Sequence, residues 1–328
     1  MKKLFLILIC FPFIGFGQLT FVPDSVFEEF LETNGMGDGI INNDSVLTSS
    51  IDTVTYLDVR NLPISELTGI EDFTNLSILD CRNTINQPIY ITSLDLSSNL
   101  LLTELNCGRN EITNLDLSNN SLLRELRCHQ NLLVNLDLTG NPLLTKLYCN
   151  DNQLTNLDVS NNTDLVTLSC ERNQLTSLNI SNNSSLTRLY CENNQLISLD
   201  LSNLVDSMLY RITIYGNSQL YCVKVSDPLF SDTTWKVGIH RSSNTTFSID
   251  CSNEISGCID SSAVNYNQIA TISDGSCVGA NQTYLPDDNF EQYLINFGAD
   301  IILDDSVSSY EISLFSNLDI RSLNIFDL

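Results

Sequence analysis

Positive charge is scarce in this chain. Its 328 residues carry 15 Lys and Arg against 40 Asp and Glu, a formal net charge of −25. So acidic a surface repels phosphate backbones, which sets nucleic acid and anionic membranes aside as partners. Histidine is scarcer still. His129 and His240 are the two in the chain, and neither has a Cys or Asp pattern around it suited to metal or triad chemistry. Aromatics make up 8% with a single Trp, which leaves little to stack on sugar rings. Long apolar runs are missing too. The one marked run, residues 4–16, follows Met1-Lys2-Lys3 and ends among the small residues Gly15 and Gly17. That is the layout of a secretory signal peptide over residues 1–17, too short and too early for a membrane anchor.

Phosphate-binding and nucleophile motifs are also lacking. Gly35-Met36-Gly37-Asp38-Gly39 has no following Gly-Lys-Ser/Thr, so it is no phosphate loop. Gly275-Ser276-Cys277-Val278-Gly279 imitates a nucleophile elbow, but its cysteine has a better use as a disulfide partner. The stretch from Asn34 to Ser45 has too few calcium-loop positions filled and reads as a turn. The predicted chemistry is therefore non-catalytic.

Repetition is what the chain has in abundance. Cys107, Cys128, Cys149, Cys170 and Cys191 recur every 21 residues, each inside L-x-x-L-x-C-x-x-N-x-[LI], as in Leu165, Leu168, Cys170, Asn173 and Leu175. The other half of each unit reads L-[DN]-[LVI]-[ST]-x-N, as in Leu157-Asp158-Val159-Ser160-Asn161-Asn162. Cys81 begins a copy stretched by five residues, and Val59 and Ile214 hold the same slot at the two ends. Self-similarity at a short fixed period signals a solenoid, in which coils bury their apolar edges against one another.

These residues resemble the leucine-rich repeat, over about residues 51–222. The resemblance implies an α/β to mainly β fold: a curved parallel sheet of about eight coils with an N-terminal helical cap and a disulfide-closed C-terminal cap. A unit of 21 residues leaves no room for a full helix per coil. In such strands alternate side chains point inward, so Leu168 and Cys170 face the core and Ser169 faces out. Cysteine fits the inner slot as a small buried hydrophobe. A ladder of disulfides is the rival reading in an oxidising compartment, though parallel side chains point the same way and strain that bond. The columns Asn110, Asn131, Asn152, Asn173, Asn194 and Asn120, Asn141, Asn162, Asn183 are expected to satisfy backbone groups of adjacent coils. The column Asp95, Asp116, Asp137, Asp158, Asn179 and Asp200 is expected to bond turn amides.

The sequence divides as a signal peptide 1–17, an N-terminal cap 18–50, the solenoid 51–220, a C-terminal cap 221–251, a linker module 252–280 and, at 281–328, the start of a second, truncated cap. In the first cap, Phe27, Phe30 and Leu31 share a helical face and Ser25 to Glu28 forms a capping box. Residues 221–251, with Trp235 between two cysteines, look like the closing segment of secreted bacterial leucine-rich-repeat proteins, which implies a Cys222–Cys251 disulfide. Residues 257–277, GCIDSSAVNYNQIATISDGSC, are similar to a short module of exported bacterial proteins. That likeness implies a Cys258–Cys277 disulfide and calcium held by Asp260, Asn265, Asn267 and Asp274; Asn267 and Ser273 depart from the module's usual Asp, which counts against calcium. Residues 285–295 repeat the first cap, Pro23/Pro286, Phe27/Phe290, Leu31/Leu294, with the box again at Asp288 to Glu291. The strand at Ile51 to Arg60 is echoed by Ile312 to Arg321. Such proteins resemble the surface class associated with type IX secretion.

What remains for function is the outward face of the strands. Arg109, Arg127, Lys146, Tyr148, Arg172, Arg188 and Tyr190 gather there as candidate ligand-binding residues, and Tyr and Arg are favoured at interface hot spots. His129 sits in an outward slot filled elsewhere by Gly108, Asn150, Glu171 and Glu192. The expected role is an exported binding or adhesion module, secreted or at the cell surface, with a protein ligand, no nucleic acid, no membrane insertion and no cofactor. The alternatives are carbohydrate binding, with Tyr148 and Tyr190 as platforms, or a non-catalytic targeting or spacer region of a larger secreted enzyme.

Overall fold

A computed structural model of the chain describes residues 17–83, 89–204, 211–227, 239–240, 245–251, 256–258, 261, 263, 265–266, 270, 272–273, 277, 282–284 and 306–308. The chain folds as two compact units, residues 1–170 and 171–328. The signal peptide, Trp235 and the second copies of the cap helix and first strand lie outside the described residues. Among the described residues no helix is long and apolar enough to cross a membrane.

The first unit opens with a cap. Strand β1 (Leu19–Phe21) pairs antiparallel with β2 (Ser45–Leu47), and helix α1 (Ser25–Thr33) lies between them in sequence. The helix starts at Asp24, whose Oδ1 accepts from the backbone N–H of Val26 at 3.1 Å and of Phe27 at 3.0 Å, satisfying donors the first turn leaves open. The capping box expected from Ser25 to Glu28 is therefore displaced. Glu28 is fully buried, and its Oε1 accepts instead from the N–H of Asn43 at 2.9 Å, fastening the returning loop. Within that loop the Glu32 carboxylate takes the N–H groups of Asp38 and Gly39 at 2.6 and 2.9 Å, so the segment is a turn, as expected. Phe27 and Leu31 are fully buried, and the Phe27 ring stacks on Phe73 at 6.3 Å. The apolar face of the cap thus covers the first coils.

Six short parallel strands follow: β3 (Tyr56–Asp58), β4 (Ile78–Asp80), β5 (Glu104–Asn106), β6 (Glu125–Arg127), β7 (Lys146–Tyr148) and β8 (Thr167–Ser169). Their register aligns Leu57, Leu79, Leu105, Leu126, Leu147 and Leu168, all at most 1% exposed. One residue beyond each strand, Val59, Cys81, Cys107, Cys128 and Cys149 are buried, and each donates its N–H to the next coil. Each buried leucine contributes about 1.5–3 kcal/mol, and only stacking lets a 21-residue coil bury it. The fold is a leucine-rich-repeat solenoid.

Two asparagine ladders satisfy the turns. The Nδ2 of Asn131 donates to the carbonyls of Cys107 and Cys128 at 3.0 Å each, and its Oδ1 accepts from the N–H of Ile112 at 3.0 Å. Asn110 and Asn152 repeat the pattern one coil either side. On the other edge Asn120 donates to Leu96 and Asn99, and Asn141 to Leu117 and Asn120. A third regularity has only a partial sequence signal: two residues past the inner slot, Asn61, Arg109, Gln130, Asp151, Arg172 and Asn193 all have φ between 52° and 64°, and Gly216 holds the same slot at 68°. The coil imposes a left-handed residue there whatever the side chain.

The acidic column bonds turn amides as expected. The Oδ1 of Asp95, Asp116, Asp137 and Asp158 each accepts from the N–H two residues on, at 2.9–3.0 Å. All four carboxyls are held below their ordinary range: at Asp116 chiefly by the backbone N–H of Ser118, at the other three chiefly by the hydroxyls of Ser97, Thr139 and Ser160. A folded-state pKa below the unfolded value gives stability that is present above about pH 4 and is lost as pH falls through the lowered folded value. Asn179 holds the same turn without a charge, accepting from Ser181 at 3.1 Å. Replacing Asp116, Asp137 and Asp158 together by Asn is therefore expected to leave the melting temperature at pH 7 nearly unchanged. The same variant should flatten its fall between about pH 4 and pH 2; parallel acid limbs for the two proteins would refute this.

The second unit carries two further coils and a closure. Strands β9 (Arg188–Tyr190), β11 (Arg211–Thr213) and β13 (Ile239–His240) pair in parallel, as do β10 (Leu199–Asp200), β12 (Cys222–Lys224) and β14 (Thr246–Ser248). Cys191, Leu196 and Ile214 are buried in it, and Asn217 repeats the ladder by donating to the carbonyls of Cys191 and Ile214. Disulfides join Cys222 to Cys251 and Cys258 to Cys277. Further along, Gln282–Tyr284 pairs antiparallel with Ser306–Ser308, matching Thr283 with Val307 as Thr20 matches Val46 in the first cap.

Candidate functional site

The inner slots of the first unit are nearly uniform, and its outer slots are not. Along β3 to β8 the outward pairs run Tyr56/Asp58, Ile78/Asp80, Glu104/Asn106, Glu125/Arg127, Lys146/Tyr148 and Thr167/Ser169. Tyr56, Ile78, Asp80, Arg82, Glu104, Asn106, Glu125 and Arg127 line a groove of about 280 Å3. At its edge Glu125 is a hub: its Oε1 accepts from Arg127 Nε at 2.5 Å and its Oε2 from Lys146 Nζ at 2.8 Å. Burial works to raise the Glu125 carboxyl, but the two cations overcome it and hold the group below its usual value. The same bond raises Lys146. The Arg127 guanidinium also lies over the Tyr148 ring, 4.9 Å from its centre, a cation–π contact that fixes both side chains. Thr167 and Ser169 stand in outward slots yet are only 2% and 4% exposed. Ser169, expected to face solvent, instead donates to Asn150 Oδ1 at 3.3 Å.

Beyond the strand ends lies a rim of Arg60, Arg82, Gly108, His129 and Asn150. Arg60 and Arg82 pair with Asp58 at 3.0 Å and Asp80 at 3.6 Å, two residues back. His129 is half-buried, and its ring occupies the space above Gly108, where a Cβ would fall 2.4 Å from Cε1. Its pKa is lowered, first by burial, then by Arg109 and Arg127, with Arg82 adding to them and Asp151 opposing. Arg109, held at φ 60°, donates its backbone N–H to the carbonyl of His129 at 2.8 Å.

The first unit thus brings Arg109, Arg127, Lys146 and Tyr148 together on one face. The second unit holds Arg172 and Arg188 exposed and Tyr190 half-buried, with the Arg211 guanidinium 5.6 Å from the centre of the Tyr190 ring. Tyr56, Ile78, Asp80, Arg82 and the Gly108–His129 contact are site features that sequence reasoning missed. Their signal was available in the shared slots of Val59 and Cys81, which place Arg60 and Arg82 in line with Gly108 and His129. Of the four proposed calcium ligands only Asn265 is among the described residues. No group of three or more His, Cys, Asp or Glu among the described residues could hold a metal ion.

Fold and face together define a leucine-rich-repeat solenoid with a varied polar sheet surface. Solved structures similar to it include bacterial proteins. The functional domain of InlJ from Listeria monocytogenes, which includes a cysteine ladder, is 28% identical, with 64% of this chain and 57% of that domain covered at a TM-score of 0.39. Internalin C2 of the same organism is 21% identical over 60% of this chain and 99% of its own, at 0.44. A leucine-rich-repeat protein of Leptospira interrogans is 19% identical over 61% and 55%, at 0.43. No protein-family model and no curated protein matches the chain.

Proposed function

We propose that the chain is an exported, non-catalytic binding or adhesion module that engages a protein through the outward face of its strands, with Arg127, Lys146 and Tyr148 at the centre. The observation that carries this is the clamped Arg127: one carboxylate holds it in plane and one tyrosine ring lies beneath it. Such preordering lowers the entropy lost when a partner docks, and Arg and Tyr are the residue types on which binding energy concentrates. Secretion or surface display follows from the amino-terminal leader and suits the two disulfides. Residues 252–280 serve as a stapled linker, and residues 281–328 open a second cap on the pattern of the first.

The test is a paired capture from extracellular and cell-surface protein extracts with the wild type and with Arg127→Glu plus Tyr148→Ala. A protein retained by the wild type and lost, at least about tenfold, by the double variant supports the reading. Equal retention by both, or selective capture on a glycan array with no protein ligand, overturns it.

A further inference from the structure

We propose that the rim of the first unit holds a binding pocket for a carboxylate side chain of the partner, built from Arg82, Arg109, Arg127 and His129, and that this contact tightens as pH falls. It rests on the reading of the strand face as a protein-binding surface, and deepens it by naming the chemistry one spot would take.

Three guanidinium groups act on one half-buried imidazole, and a single carboxylate, Asp151, opposes them. The charges of Arg82 and Arg127 are partly answered by Asp80 and Glu125 on their own strands. Arg109 has no such answer: no carboxylate among the described residues lies within ion-pair distance of it. Its backbone is nonetheless fixed beside the imidazole, because it is left-handed there and bonded to the His129 carbonyl. The imidazole has its place because slot 108 is glycine, where the other coils carry Arg60, Arg82 or Asn150; a side chain at 108 would strike the ring. Cations held together without full compensation favour an incoming anion, and guanidinium forks match a carboxylate in plane.

The surroundings choose among anions. Glu104, exposed on β5, has no cationic partner among the described residues, and Asp80, Glu125 and Asp151 flank the pocket. A chain of net charge −25 with those neighbours repels a long sulfated or phosphorylated polymer. A peptide carrying one acidic side chain beside a basic one fits both Arg109 and Glu104. His129 is neutral at pH 7.5, since burial and the arginines work against its protonation. A bound carboxylate favours the imidazolium, so binding takes up a proton and strengthens on acidification.

The experiment uses the full chain, an alternating Lys-Glu hexapeptide as probe and the NMR signal of the His129 imidazole, assigned with His240→Gln. The peptide is expected to raise the His129 pKa by about one unit, and so to bind up to about tenfold more tightly at pH 5.5 than at pH 7.5. Arg109→Asn, chosen because asparagine already holds this left-handed slot at Asn61 and Asn193, should weaken binding about tenfold with the melting temperature unchanged. His129→Gln should keep the affinity at pH 7.5 and lose its pH dependence. An unmoved His129 signal, full binding by Arg109→Asn, or a pH dependence that survives His129→Gln would each overturn the pocket. Tighter binding of a sulfated oligosaccharide through the same arginines would overturn the choice of carboxylate. Because the readout is a peptide at His129, failure here with the captured protein still retained condemns the pocket alone. Failure of the capture experiment alone condemns the protein-binding reading.

Discussion

Asn131→Ala is expected to destabilise the first unit by about 3–4 kcal/mol, a loss that the equivalent changes at Asn110 and Asn152 should approach. The amide sits between two coils. Its Nδ2 donates to the carbonyls of Cys107 and Cys128, and its Oδ1 is the acceptor for the buried N–H of Ile112. Truncation does not strip the carbonyls bare, since Asn110 also donates to Cys107 and Asn152 to Cys128. The N–H of Ile112 has no such reserve. An orphaned buried donor costs about 1–3 kcal/mol, and the emptied amide volume and two lost bonds supply the rest. At about 2–4 °C per kcal/mol for a unit of this size, the melting temperature should fall by about 10 °C. Asn131→Asp sharpens the argument. It keeps the acceptor for Ile112 but sets a negative charge against two carbonyls, so at neutral pH it should melt no higher than the alanine variant. Asn119→Ala is the control: its amide makes one bond, to Ser97 at 3.1 Å, at an exposed site, and should cost under about 1 kcal/mol. If Asn131→Ala and Asn119→Ala melt together, the ladder does not hold the coils.

How far the sequence could be read follows from what was periodic in it. The inner leucines, the cysteine slot, both asparagine columns and the aspartate turns recur at a fixed interval, so each copy confirms the others and their burial and bonding could be stated in advance. The cap was legible as a helix, but not its first residue: Asp24 and Ser25 are both good caps, and which one is used depends on where the returning loop needs Glu28. The left-handed slot was illegible because Arg109, Gln130 and Arg172 carry no preference for that conformation; the coil demands it and stacking overrides the local cost. The candidate face was half legible. Arg127 and Tyr148 could be placed on it, whereas the influence of Arg82 on His129 depends on the rim slot being followed through the stretched coil of Cys81. The burial of Thr167 and Ser169 is a property that alternation along one strand does not encode.

The cysteine ladder should resist thiol reagents until the chain unfolds. Cys81, Cys107, Cys128, Cys149, Cys170 and Cys191 are free thiols, five of them fully buried and Cys81 3% exposed. Burial pushes the thiols up, Cys107 to about 12 and Cys128 and Cys81 well above their ordinary value. The thiolate is the reacting species, so at pH 8 about one in 10,000 Cys107 side chains is ionised, against roughly a quarter of exposed thiols. Access adds its own barrier, because a reagent must prise stacked coils apart to reach sulfur. Together these should slow modification by Ellman's reagent at least about 1,000-fold relative to the same chain in guanidinium, where, with residues 1–17 and so Cys10 removed, six thiols should react at once. Stacking also explains why the sulfurs stay single. In-register neighbours on parallel strands stand about 4.8 Å apart with their side chains pointing the same way, while a disulfide needs β-carbons roughly 3.8 Å apart and turned toward each other. The contrast lies in the closing segment, where Cys222 and Cys251 come from strand and loop rather than from stacked equivalents and do join. Fewer than six reactive thiols in denaturant, with reduction restoring the number, would mean that the ladder is cross-linked. Fast labelling of the native chain would mean that the coils separate far more readily than their packing implies.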